Sequence, residues 1–140
     1  MKRSIFYTMA SLTLLVQNTY AAPVDLNELQ GDWHLRELDG YEVRKARAIL
    51  DFEPAKMIID GFDACNRING KLIKKGDGTY TSQLRTTRMA CRGQLFSFVS
   101  QRLHQAIDEG FTVEKATRHG IDGIVLKSKS HELFFKRMGE

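Results

Sequence analysis

Hydrophobic and polar residues alternate with a period of two in short blocks along most of this chain of 140 residues. In "DWHLREL" the pattern sets Trp33 and Leu35 on one face against His34 and Arg36 on the other. In "AILDF" it groups Ala48, Leu50 and Phe52, with Ile49 and Asp51 opposite. "KMIID" after Pro54, "RINGKLI", "TYTSQL", "FTVEKA", "GIVLKS" and "ELFFKR" continue the rhythm. "KKGDG", "TRHGIDG" and "KSH" punctuate it as turn or hairpin signals. Period-two blocks between Gly, Asp and Asn turns predict antiparallel strands, about seven or eight here.

One segment has a different period. In "GQLFSFVSQRLHQAIDEG", Leu95, Val99, Leu103 and Ala106 recur at spacings of three or four, flanked by Phe96 and Ile107. That is an amphipathic helix, and Gly110 is its natural stop. One helix cannot bury its own stripe, so the strands must cover it. The expected fold class is α+β: a strongly curved antiparallel sheet or small, partly open barrel with one amphipathic helix packed across it. No repeat, low-complexity tract or linker divides the chain.

The first residues read differently. Lys2 and Arg3 precede an apolar stretch from Ile5 to Val16, and Ala21 and Ala22 stand before Pro23. Charged start, apolar middle and small-residue exit make a secretory signal peptide, with cleavage expected after Ala21. The apolar stretch is short of the roughly 20 residues a spanning helix needs. No cysteine lies just beyond it, so no lipoprotein anchor is expected. Residues 1–21 are thus read as a signal and 22–140 as a single domain, periplasmic or secreted and without a stable membrane anchor.

Export changes the charge. The formal +4 rests on 21 basic and 17 acidic side chains, and losing Lys2 and Arg3 leaves 19 against 17, or +2. The densest basic stretch, Arg44, Lys45 and Arg47, is flanked by Glu42 and Asp51. Nucleic-acid binders carry a clustered basic stripe on a strongly basic domain, so nucleic acid is not an expected partner.

Cys65 and Cys91 are the two cysteines. In an exported chain a single disulfide is the simplest expectation. Closing a loop of that size contributes about 3–4 kcal/mol on chain-entropy grounds. A catalytic thiolate would need a base beside it, and His34, His104, His119 and His131 are scattered without a thiol-protease context. A zinc site would need ligands at short spacings such as C-x-x-C, and none is present. No catalytic residue, metal or cofactor is expected. There is no G-x-S-x-G elbow and no supported carboxylate pair for a hydrolase.

"ACNRING" followed by "TTRMAC" resembles the META domain family, which includes the bacterial heat-shock protein HslJ. Cys65, Asn66 and Gly70 match its first motif; Thr87, Arg88, Met89, Ala90 and Cys91 match its second. Trp33 and Leu35 match the opening strand, and Leu133, Phe134 and Phe135 the closing one. The chain departs in having Ala64 where the family usually has Gly, and Gln94 and Leu95 where an acidic residue often opens the helix. The resemblance implies a small envelope or secreted protein linked to stress tolerance, antibiotic resistance or virulence, with no settled enzymatic activity. It supplies Cys65 and Cys91 as motif cysteines and no catalytic residues.

Asn66, and Asn69 before Gly70, are expected to act locally in a turn. Arg67, Arg85, Arg88 and Arg92 all lie near the cysteines in sequence, and a disulfide would gather them into a patch suited to carboxylate or phosphate groups. The leading functional expectation is a non-enzymatic, monomeric envelope protein binding a protein or envelope component through its surface. The alternative is a small-molecule or lipid carrier with a cavity between helix and sheet.

Overall fold

The computed structural model describes residues 24–139. The expected signal peptide, residues 1–21, lies outside them. Eleven strands and one α-helix make up the described chain: β1 (Gly31–Leu38), β2 (Tyr41–Glu42), β3 (Ile49–Glu53), β4 (Ile58–Phe62), β5 (Arg67–Lys71), β6 (Ile73–Lys74), β7 (Tyr80–Thr81), β8 (Arg85–Thr86), α1 (Gln94–Glu109), β9 (Phe111–Arg118), β10 (Ile121–Ser128) and β11 (Glu132–Arg137). They form one antiparallel sheet in the order β6-β7-β9-β10-β11-β1-β3-β4-β5-β8, with β2 on β1. The expected α+β architecture is therefore present, with eleven strands where about seven or eight were expected. The excess is β2, β6 and β8, each two residues long, too short to show a period. "TYTSQL" also contributes only Tyr80–Thr81.

Alternation places the core. Leu35, Leu50, Phe52, Ile59, Leu126, Leu133 and Phe135 are fully buried, and Val99, Leu103, Ala106 and Ile107 of α1 pack into the same cluster. Leu95 and Phe96 rest half-buried against it. A bulge between Leu35 and Glu37 shifts the β1 register by one, so Leu38 rejoins the core face. The β9–β10 hairpin turns on His119 and Gly120, both at positive φ (53° and 74°), as a two-residue turn of matching twist requires.

The two sheet edges are brought together by Ser82–Leu84, which joins β7 to β8. This segment runs hard against β5: a Cβ on Gly70 would lie 2.3 Å from Ser82 Oγ and 2.9 Å from the Gln83 carbonyl. Gly70 is therefore needed for close approach and lies within β5. The strand read in "RINGKLI" is thus present as β5, and Asn69 lies in it and not in a turn. On the far side, Trp33 closes the sheet's end, its Nε1 donating to the Leu29 carbonyl at 2.9 Å with Arg137 stacked 4.3 Å over the ring.

Candidate functional site

Where β4 ends, the chain must reverse into β5, and a buried carboxylate organises the reversal. Asp63 is 1 % exposed. Its Oδ1 accepts the backbone N–H groups of Cys65 (2.8 Å) and Asn66 (2.6 Å), the Asp-led turn that a short acidic side chain makes readily. Its Oδ2 lies 2.6 Å from His104 Nε2 on α1, so the same side chain ties the helix to the turn. Burial pushes the carboxyl pKa up, but the hydrogen bonds from His104 and from the amides of Asn66 and Cys65 outweigh it and hold the pKa below the ordinary value.

Ala64 follows at φ +84° and is buried. A Cβ is disfavoured in that conformation, which gives the physical reason for the glycine usual there in the resembled family. Cys65, buried, is joined by a disulfide to exposed Cys91, as expected. Its Sγ sits 3.5 Å from the Phe96 carbonyl oxygen; a disulfide sulfur carries no proton, so this is a contact and not a hydrogen bond. With both sulfurs joined, neither is a nucleophile or a thiolate ligand.

Asn66 reaches across the sheet and does not serve its own turn, contrary to expectation. Its Oδ1 accepts the Met89 N–H (2.5 Å) and the Thr87 hydroxyl (3.0 Å), and its Nδ2 donates to the Met89 carbonyl (3.3 Å). The Thr87 Oγ1 in turn accepts the Arg67 N–H at 3.1 Å, and the Thr87 N–H donates to the Arg67 carbonyl at 3.1 Å. The local role belongs to Asp63, which the sequence pattern did not single out. Motif residues Cys65, Asn66, Thr87, Met89 and Cys91 thus form one clamp that fixes the segment between β8 and α1. Gly70 lies outside it, holding the close contact with Ser82.

Every residue from Arg85 to Gln94 is exposed. Arg67 and Arg85 share an open groove of about 810 Å³ with Asp32, Asp51 and Asp60; Arg88 and Arg92 lie on the clamped loop. Among the described residues none of these four guanidiniums meets a carboxylate. By contrast Arg102 pairs with Asp39 (3.7 Å), Arg118 with Glu37 (3.4 Å), and Arg137 donates to the Gln30 and Glu28 carbonyls (2.6 and 2.7 Å). Of the four predicted arginines, Arg67 and Arg85 thus share a groove with the acids of the sheet face, and Arg88 and Arg92 lie on the loop that the disulfide ties to Cys65.

The same outer face carries acids that the alternation could have flagged. The pairing register places Asp32, Asp51 and Asp60 side by side on β1, β3 and β4, then Asn69 on β5 and Arg85 on β8. Burial and then the neighbouring Asp32, Glu53 and Asp60 push the Asp51 carboxyl pKa up. Asp51, Glu53 and Asp60 bring oxygens within 4.8 Å of one another, the donor set among the described residues that could hold a metal ion. Asp32, Asp51 and Asp60 sit on three separate strands, and only the register makes them neighbours.

A second polar network joins α1 to two turns. His131 lies 2.7 Å from Asp39 Oδ2 through Nδ1 and 2.7 Å from Gln105 Oε1 through Nε2. Glu109 accepts from the Ser130 hydroxyl (2.6 Å) and from Gln105 (2.9 Å); the hydroxyls of Ser130 and then Ser128 lead the effects that bring its pKa down to about 2.

A family model for the META domain matches residues 25–139. Two solved structures share the fold. An NMR structure of a protein from Burkholderia xenovorans is 22% identical, with a TM-score of 0.62 over 85% of this chain and 92% of that one. A second NMR structure of a protein is 23% identical, with a TM-score of 0.63 over 81% of this chain and 95% of that one. No curated protein matches. With the matched span covering the whole clamped corner and the sheet around it, the chain belongs to the META domain family.

Proposed function

We propose that this is an exported, non-enzymatic META-domain protein of the cell envelope that contributes to stress or antibiotic tolerance by binding an envelope component through its surface. The observation that carries this is the Arg85–Gln94 segment: wholly exposed, carrying Arg85, Arg88 and Arg92, and held in one shape by a disulfide and the Asn66 clamp. Surface loops without buried side chains are ordinarily free to vary, and this one is fixed without contributing to the core. A disulfide persists in oxidising compartments, which supports export.

The interior-carrier alternative requires helix and sheet to stand apart. Val99, Leu103, Ala106 and Ile107 are instead fully buried against the sheet, which favours a surface site.

The test is crosslinking and capture from the envelope of the exporting cell under heat or antibiotic stress, with wild type and the Arg88→Ala/Arg92→Ala variant. The expected result is a specific captured component that the variant loses. Capture that ignores the substitutions would remove the patch from the function, and a stoichiometric lipid in native mass spectra of purified protein would restore the carrier.

A further inference from the structure

Met89 sits at the centre of the clamped loop and is 61 % exposed, one of four large apolar side chains so exposed among the described residues, with Tyr41, Ile73 and Met138. Its backbone is the most tightly held part of the loop, bonded at both N–H and carbonyl to Asn66. Arg88 precedes it and Arg92 follows it by three residues, while Arg67 and Arg85 face the groove they share with Asp32, Asp51 and Asp60. The adjoining first turn of α1 holds no acidic residue, and no side chain caps its Gly93 end. Nothing on the loop itself offsets its positive charge.

An apolar side chain displayed in water among unpaired cations gains nothing in the folded monomer: its burial energy is unrealised and the like charges repel. Both costs reverse at one kind of surface. Guanidiniums pair with phosphates through two parallel hydrogen bonds, and an apolar side chain beside them enters the boundary between headgroups and acyl chains. A soluble polyanion would use the arginines and leave Met89 in water; an anionic lipid surface uses both. We propose that the loop Arg85–Arg92 docks this protein on an anionic phospholipid surface, with Arg88 and Arg92 on headgroup phosphates and Met89 at the acyl boundary. This rests on the surface-binding function above and names what the surface meets.

The acidic row fixes the pose. Asp60 lies two strands from Arg85, about 10 Å at the strand spacing. That is close to the Debye length of about 8 Å at physiological salt, so an approach by the sheet face would bring Asp51 and Asp60 against the same phosphates. Docking is therefore by the loop beyond β8, with the acidic row and the groove it shares with Arg67 and Arg85 turned away. Among the described residues no helix is long and apolar enough to cross a membrane, and the attachment here is peripheral.

The test uses the chain from Ala22 onward, which contains every described residue of the fold and lacks the apolar leader. Its co-sedimentation is measured with vesicles of equal parts phosphatidylglycerol and phosphatidylcholine, and with phosphatidylcholine alone. The expected result is binding to the anionic vesicles only, weakening steeply with salt. Arg88→Ala/Arg92→Ala should lower the partition coefficient roughly 30-fold, at about fivefold per basic residue near such a surface. Met89→Ser should lower it about fivefold without changing retention on a sulfated polysaccharide resin, and Asp51→Asn/Asp60→Asn should raise it. Near-ultraviolet circular dichroism checks that each variant is folded. Equal binding by wild type and Met89→Ser, or no binding to anionic vesicles while stress-dependent, arginine-dependent capture of a protein persists, overturns the lipid assignment. The second outcome leaves the proposed function standing; loss of both vesicle binding and envelope capture removes the two together.

Discussion

Strands β10, β11 and β1 and the loop from Arg85 to Gln94 belong to the same small domain and are held by different forces. In the strands, Leu35, Ile124, Leu126, Leu133 and Phe135 are buried almost completely, each worth about 1.5–3 kcal/mol of transfer free energy. The loop buries none of its ten residues. Its shape comes from one covalent bond, the Asn66 hydrogen bonds and a two-residue pairing of β8 with β5. The difference teaches that a contact surface can be kept rigid without being part of the core, provided its ties are local and directional. Such a loop should loosen without unfolding the sheet.

The comparison is broken most severely from the core side. Phe135→Ala should cost about 4 kcal/mol in urea unfolding, within the range for emptying a packed aromatic site; a cost below about 1 kcal/mol would mean the cluster is less dense than its burial suggests. Replacing both cysteines, Cys65→Ala/Cys91→Ala, should cost about 3.5 kcal/mol for a separation of 26 residues, with the near-ultraviolet signal of Trp33 retained.

Asp63 sharpens the contrast because it belongs to both regions. Asp63→Asn should cost about 2 kcal/mol at neutral pH, the loss of charge-assisted bonds to His104 and two amides. The Asp63 carboxyl titrates below its ordinary value of 3.8 in the folded state. Its contribution is therefore complete above the unfolded pKa and disappears as pH falls through the folded one. Stability curves of wild type and variant should converge in acid, and parallel curves would exclude a charged Asp63. The smallest effect has the opposite sign. Ala64→Gly relieves a positive φ and should stabilise by about 1 kcal/mol, since relief of a Cβ at left-handed geometry exceeds the added chain entropy of glycine.

The long strands and the helix were legible because burial writes a period into sequence. Leu50 and Phe52 alternate with Asp51, Val99 and Leu103 recur at four, and the structure buries both sets. The two-residue strands β2, β6 and β8 carry no period; β2 and β8 sit on the longer β1 and β5, and β6 pairs only with the equally short β7 across the turn closed by Lys75 and Thr79. At the candidate site the disulfide was legible from cysteine count and the expected compartment, whereas the acids that share a groove with Arg67 and Arg85 were not. The Asp63–His104 pair was not, because two residues 41 apart meet only once α1 is laid on the sheet. The Asn66 clamp was misplaced for a related reason: an Asn beside a turn usually bonds locally, and here Asp63 had already taken the turn amides. The aspartate row needed register, which alternation does not supply.

Amide hydrogen exchange across residues 85–93, with and without the disulfide, tests the central claim most directly. The account predicts protection at Thr87 and Met89 in the oxidised protein, lost on reduction under conditions where the amides of β10 and β11 still exchange slowly. If those two amides stay equally protected after reduction, or if the loop and the long strands lose protection together, the loop is not held by its own local ties and the account is contradicted.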